Sequence, residues 1–229
     1  MNQPLVLLHG ALGSKEQFKD LKELLSNDFD VHTLNFEGHG DKASSAPFSM
    51  RLFATNVIEY LQEHHISKAH LFGYSMGGYV ALQLAKSQPE RVDHIFTLGT
   101  KFLWTPESAA NEIKMLNPEK IEEKVPAFAQ KLAAIHTKND WKDVMRKTAT
   151  MMYELGNGAK ITTQELTQIQ HKVSIGIGTK DHMVSIEESK ESAAALPNGE
   201  LHILEETQHI IDTIPSEKLK AFILDIIKS

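Results

Sequence analysis

Short apolar runs, most of them closed by a glycine and each followed by a helical pattern, recur along the chain and constrain its fold more than any other feature. Leu5-Val6-Leu7-Leu8 is the first, bounded by Pro4 and Gly10. A run that is apolar at every position marks a strand buried on both faces. Ser14 can cap the helix that follows, whose apolar positions Phe18, Leu21, Leu24 and Leu25 keep near-helical spacing. A second strand is expected over 30–36, then a helix carrying Phe53, Val57 and Leu61 at i, i+4 and i+8. The third strand, 68–72, runs into Gly73 and a helix that ends before Pro89; the fourth, 92–98, stops at Gly99. Later come a fifth strand over 173–177, a helix over 185–196, a sixth strand over 200–204, and a last helix with Leu219, Phe222, Ile223, Ile226 and Ile227. Six βα units predict an α/β fold, a mostly or wholly parallel six-stranded sheet with helices on both faces. In such a sheet ligands bind beyond the C-terminal ends of the strands.

The rhythm breaks between about 100 and 160, a stretch with Pro106, Pro118 and Pro126. Ile121, Val125, Phe128, Leu132 and Ile135 step by 4, 3, 4 and 3, which predicts one amphipathic helix. Val144, Thr148, Met151, Met152 and Leu155 predict another, closed by Gly156-Asn157-Gly158. The expected division is a core over 1–99 and 161–229, with a helical cap over 100–160 inserted after the fourth strand.

Composition removes several function classes. The 229 residues include no cysteine, which excludes disulfides, thiolate metal sites and a cysteine nucleophile. With 24 Lys+Arg against 30 Asp+Glu, no basic surplus exists to neutralise phosphates, so no nucleic-acid partner is expected. Met1-Asn2-Gln3-Pro4 does not read as a signal peptide, and no apolar run approaches the length of a membrane span. A cytoplasmic globular protein is the expectation, as a monomer or weak homo-oligomer. His64-His65, read as adjacent on a helix, diverge by about 100° and cannot share a metal, and Gly176-Ile177-Gly178 lacks dinucleotide-loop spacing. Neither metal nor cofactor is expected.

Four strand ends carry chemistry: His9-Gly10-Ala11, Gly73-Tyr74-Ser75-Met76-Gly77-Gly78, Gly178-Thr179-Lys180-Asp181, and Gln208-His209. A serine on a tight strand-to-helix turn needs glycine two residues to either side, because the backbone is compressed there. Gly73 and Gly77 meet that need. From the 15 serines and 13 glycines in the chain, chance alone yields about 0.05 such motifs. Asp181 follows the fifth strand and His209 the sixth, so the order Ser, Asp, His suits a relay in which imidazole takes the hydroxyl proton and carboxylate fixes the imidazole. Asp212, Glu205 and Glu206 compete with Asp181 as the acid, but none of the three ends the neighbouring strand.

These residues, together with His9-Gly10-Ala11-Leu12-Gly13-Ser14 and Gly38-His39-Gly40, make the chain resemble the α/β-hydrolases over nearly its full length, apart from a divergent cap. The resemblance implies catalytic Ser75, Asp181 and His209, and an oxyanion hole from the backbone N–H groups of Ala11 and Met76, with Leu12 as fallback. It also implies a sheet of order 2-1-3-4-5-6, trimmed because only four residues precede the first strand. Asn35 stands where the family usually has aspartate before the Gly-His-Gly turn, a position more often structural than catalytic. His39 is read as a turn-stabilising residue. Pocket candidates are Leu12, Tyr74, Trp104 and Met151, with Met115, Met145 and Met152 as further deformable wall and Trp141 as pocket or hinge. The expected function is a serine hydrolase cleaving a small or medium acyl ester or thioester through an acyl-enzyme. Its alternatives are a triad-dependent lyase of the menaquinone-pathway type, against which Tyr79 replaces an expected arginine, and a catalytically idle ligand-binding protein.

Overall fold

The computed structural model describes residues 2–228. Its first half runs β1 (Pro4–Leu8), a 3-10 turn (Lys15–Phe18), α1 (Lys19–Leu25), β2 (Asp30–Thr33), α2 (Met50–Glu63), β3 (Ala69–Tyr74), α3 (Met76–Ser87) and β4 (Val92–Leu98). Four helices follow: α4 (Pro106–Ile113), α5 (Pro118–Lys124), α6 (Pro126–Ile135) and α7 (Trp141–Glu154). The short α8 (Thr163–Leu166) leads to β5 (Lys172–Lys180), α9 (Ile186–Ala195), β6 (Gly199–Gln208) and α10 (Ser216–Lys228). The strands form one sheet in the order β2-β1-β3-β4-β5-β6, with every pair parallel. Fold class and strand order are as the sequence predicts.

Alternate side chains of each strand feed opposite faces. Val6, Leu8 and Leu71 join Phe53, Leu61 and Val80 in a core beneath α2 and α3, whereas Leu5, Leu7 and Phe72 meet Phe18, Leu21 and Ile223 beneath α1 and α10. All of these are at most 1 % exposed. Each such side chain contributes roughly 1.5–3 kcal/mol of burial, which is why the apolar runs and not local propensity fix the sheet. The insertion is not a separate globule: Trp104, Ala109, Val144 and Met151 belong to the same core as Leu71.

Several boundaries differ from expectation. β2 stops at Thr33, three residues early, because Phe36 turns inward and gives its N–H to His9 Nε2 at 3.2 Å. β5 and β6 outrun their apolar stretches and pair as far as Lys180 and Gln208, across an irregularity near Gly178. The predicted helix through 121–135 is two helices. Pro126 starts α6, and Val125 before it leaves the helical region (φ −137°, ψ 59°), as a residue preceding proline tends to do. Val125 is 47 % exposed, so the 4-3-4-3 stripe does not form one face. His64 caps α2 and His65 adopts φ 55°, so this pair lies past the helix rather than on it. Among the described residues no helix is long and apolar enough to cross a membrane.

Candidate active site

Ser75 sits where β3 becomes α3, at φ 51° and ψ −114°. A non-glycine residue in such a conformation costs on the order of 1–3 kcal/mol, so its surroundings must hold it there. They do so through the backbone. The Ser75 N–H donates to the Leu98 carbonyl at 2.8 Å, and the Thr100 hydroxyl donates to the Ser75 carbonyl at 2.9 Å. Both partners lie at the end of β4. The flanking glycines are sterically required: a Cβ on Gly73 would lie 2.2 Å from the Gly78 nitrogen, and one on Gly77 would lie 2.1 Å from the Leu8 carbonyl oxygen. α3 therefore begins against the end of β1, and Met76, its first residue, has an N–H with no partner inside the helix.

The extensions of β5 and β6 bring Asp181 and His209 together. His209 Nδ1 and Asp181 Oδ2 are 2.7 Å apart, and their side chains are 10 % and 2 % exposed. The other carboxylate oxygen, Oδ1, accepts the N–H groups of Met183 and Val184 at 2.8 and 2.9 Å. Burial pushes the Asp181 carboxyl up, but the His209 bond and charge and these two N–H donors outweigh it and hold the group below its ordinary value. An ionised carboxylate only accepts, so Nδ1 carries a proton, and it is the neutral form of this ring that would present a free lone pair at Nε2. Gly99, at φ 60°, backs the pair: a Cβ there would stand 3.1 Å from Asp181 Oδ2 and 3.2 Å from His209 Nδ1.

The loop after β1 is held by neutral histidines. His9 Nε2 accepts from the Phe36 N–H, so its Nδ1–H donates to the Gly10 carbonyl at 2.8 Å. Complete burial pushes the His9 imidazole down to about 4. From the end of α6, His136 Nδ1 accepts from the Gly40 N–H at 3.1 Å, and Nε2 donates to the Leu12 carbonyl at 3.2 Å. Asn35 is structural, taking the Lys15 N–H at 2.7 Å and giving Nδ2–H to Asp41 at 2.8 Å. His39 bonds the Glu37 carbonyl and stacks on Phe48, which fits a turn-stabilising residue.

Ser75 and His209 open onto one cavity of about 40 Å³, which Ala11, Met76, Trp104 and Met151 also line. Two candidate pocket residues are elsewhere. Tyr74 packs its ring 5.6 Å from that of His209 and beneath Gly10, away from the cavity. Leu12 takes φ 59°, bonds His136 and packs into the core. Of the methionines, Met151 and Met152 line the cavity, whereas Met115 is 71 % exposed and Met145 is buried outside it. Trp141 does not reach it.

The cavity also has walls that sequence reasoning missed. Lys101 and Glu112 form an ion pair at 3.3 Å, and Lys101 Nζ also donates to the Met183 carbonyl at 3.3 Å. Lys101, Gly99 and Thr100 follow β4 directly, so the strand-end rule could have found them. Met183 and Val184 follow Asp181 and were open to the same argument. Met50 and Glu112 lie at helix positions with no sequence signal. No cluster of three or more His, Asp or Glu able to hold a metal is present among the described residues.

The chain is similar to known proteins both in sequence and in fold. The chain is 31 % identical over 94 residues to an abhydrolase domain-containing protein of Schizosaccharomyces pombe, covering 40 % of this chain and 35 % of that one. It is 23 % identical over 189 residues to a probable alcohol acetyltransferase of Cyberlindnera jadinii, covering 81 % and 51 %. The chain spans 35 % of the length of the first of these relatives and 51 % of the second. Among solved structures, a thermophilic esterase from Thermogutta terrifontis superposes with a TM-score of 0.77 at 19 % identity, covering 100 % of this chain and 89 % of that one. The enol-lactonase of Burkholderia xenovorans superposes with a TM-score of 0.74, also at 19 % identity, covering 100 % and 91 %. The family model for the alpha/beta hydrolase fold matches residues 3–152, and the chain belongs to that family.

Proposed function

We propose that this protein is a serine hydrolase that cleaves esters or thioesters of short acyl groups. The observation that carries the reading is the Asp181–His209 bond at 2.7 Å beside a cavity that also receives Ser75 on its strained turn. His209 Nε2 takes the Ser75 proton as Oγ attacks the acyl carbon. The tetrahedral oxyanion is stabilised by the backbone N–H groups of Ala11 and Met76, each worth about 10²–10³ in rate. His209 then gives the proton to the departing alcohol or thiol, leaving Ser75 acylated. Water, deprotonated by the same imidazole, releases the acid and restores the serine.

Size supports a short acyl group. The cavity is small, about 40 Å³, and is walled beyond Ser75 by Tyr79, Met151 and Met152, which leaves room for a small acyl group before a wall must move. The helical insertion acts as a cap in this reading, since Trp104, Glu112, Met151 and Met152 close the cavity from above Ser75. A second reading concerns the acceptor. Several relatives are named alcohol or ethanol acetyltransferases, so an alcohol can replace water at the acyl-enzyme, giving a new ester in place of an acid.

The test is release of p-nitrophenol from esters of two to ten carbons by wild type and Ser75→Ala, with ethanol added in a parallel series. Wild-type turnover on short esters that is lost in Ser75→Ala is the expected result; turnover retained by Ser75→Ala overturns the reading. Ethyl ester formed in preference to free acid assigns alcohol as the acceptor.

A further inference from the structure

A second cavity, of about 190 Å³, lies behind the first, with an inner wall of Leu82, Phe102, Ile161 and Leu166. It reaches solvent past the exposed side chains of Thr163 and Glu191. Among the described residues, Tyr79 is the one residue that lines both cavities. It stands in the first turn of α3, four residues after Ser75, and its ring lines the same cavity as the serine. The ring is 3 % exposed, and its hydroxyl accepts the Ile161 N–H at 2.6 Å. That bond ties the ring to Ile161, just past the insertion, and holds it across the gap.

We propose that Tyr79 sets the acyl length this site accepts, its ring being the partition between the cavity at Ser75 and the larger one behind it. The inference rests on the acyl-transfer reading above. An acyl chain entering along the Ser75 cavity meets the Tyr79 ring after a few carbons, and each carbon beyond must displace a packed aromatic group. With the ring removed, the two spaces join, and the chain continues along Leu82 and Leu166 toward Thr163. Each methylene that a hydrophobic pocket accepts or rejects changes discrimination by about tenfold or more, so the length profile reports the partition directly. Burial pushes the Tyr79 phenol up, which keeps it neutral and bonded to Ile161 throughout the pH range of an assay.

The experiment compares wild type, Tyr79→Phe, Tyr79→Leu and Tyr79→Ala on p-nitrophenyl esters of two to ten carbons, scored as the ratio of kcat/KM for the eight-carbon and two-carbon esters within each variant. A ratio within one variant cancels any loss of folded enzyme. Tyr79→Phe keeps the bulk of the ring but not its tie to Ile161, and is expected to shift the profile less than either truncation. Tyr79→Leu and Tyr79→Ala are expected to raise the ratio by at least about tenfold. Truncated variants with the wild-type profile overturn the proposal. A second readout needs no turnover: 1-octanol, compared with ethanol, is expected to raise the melting temperature of Tyr79→Leu but not of wild type. If no ester is hydrolysed by wild type but octanol still separates the variants, the acyl-transfer reading fails and the partition stands. Equal octanol shifts in both proteins sink the partition whatever the esterase result. Tyr79→Leu loses less volume than Tyr79→Ala and carries both readouts if the alanine variant does not fold.

Discussion

The strand ends and the helical insertion meet at one cavity, yet they are built on different terms. At the strand ends the candidate groups are held by hydrogen bonds that mostly end on backbone, with His209 held by the Asp181 carboxylate. Ser75 is pinned by Leu98 and Thr100, Asp181 by the N–H groups of Met183 and Val184, and the His9 loop by imidazole-to-backbone bonds. The insertion supplies its lining through side chains alone, with Trp104, Met151 and Met152 packed and Glu112 ion-paired to Lys101. Chemistry needs positions good to a fraction of an ångström, and a sheet provides them. A pocket wall needs only volume, which flexible thioethers fill adequately.

The largest effect that would break this contrast is at the serine. Ser75→Ala is expected to lower kcat by about 10⁴-fold or more with the melting temperature unchanged or raised, since alanine relieves no hydrogen bond of the hydroxyl. Steady-state kinetics beside thermal unfolding check both halves. Truncating the insertion at Trp104→Ala is expected to act the other way round. Loss of that 4 %-exposed ring costs about 3–5 kcal/mol of stability and raises KM more than it lowers kcat. An equal loss of kcat in the two variants would erase the distinction.

Gly99→Ala sharpens it on the strand-end side. The added methyl would stand 3.1 Å from Asp181 Oδ2 at a residue whose φ is 60°. A non-glycine residue there costs roughly 1–2 kcal/mol, and the displaced pair is expected to lower kcat about 10–100-fold at nearly constant KM. Unchanged kcat would mean that the Asp181–His209 distance is not critical.

How much of this the sequence carries divides along the same line. β1 is apolar throughout, and β3 and β4 carry apolar cores (Leu71-Phe72 and Ile95-Phe96) because both faces are covered, so these strands and the glycines that end them are legible. Ser75, Asp181 and His209 follow from one rule, that ligands meet strand ends. The full extents of β5 and β6 were not legible. Their last residues pair across an irregularity at polar positions such as Lys180 and Gln208, where hydrophobic pattern is silent. In the insertion the periodicity misled outright. Ile121 to Ile135 keeps helical spacing through Pro126, and the missing proline N–H decided against the stripe. Tyr74 and Leu12 adjoin cavity residues in sequence, but backbone direction turns Tyr74 under Gly10 and Leu12 toward His136.

The buried histidines give the core a pH dependence. Burial pushes His9 and His94 down to about 4, and it also lowers His39, His70, His136 and the half-buried His202. A base with a depressed folded pKa takes up protons more readily when unfolded. Its stabilising effect is therefore full above about 6.5 and is lost as pH falls from there toward 4. For His9 the shift amounts to about 3 kcal/mol at 1.36 kcal/mol per unit. Thermal unfolding is expected to show a melting temperature that declines steadily from pH 7 to 4, and His9→Asn is expected to flatten part of that decline. A flat profile would contradict the neutral, hydrogen-bonded imidazoles on which the His9 loop depends.

The smallest effect separates lining from mere presence in the insertion. Met115 is 71 % exposed and Met152 lines the cavity, although both read as candidate wall residues from sequence. Met115→Gln is expected to change stability by no more than about 0.5 kcal/mol and to leave the ester-length profile untouched. Met152→Ala is expected to leave kcat on the two-carbon ester within about threefold and to flatten the decline toward longer esters, because it widens the wall without moving Ser75 or His209. Side-by-side length profiles of the two variants decide the matter. A change of profile in Met115→Gln, or none in Met152→Ala, would mean that the insertion acts on the site through its backbone after all, as the strand ends do.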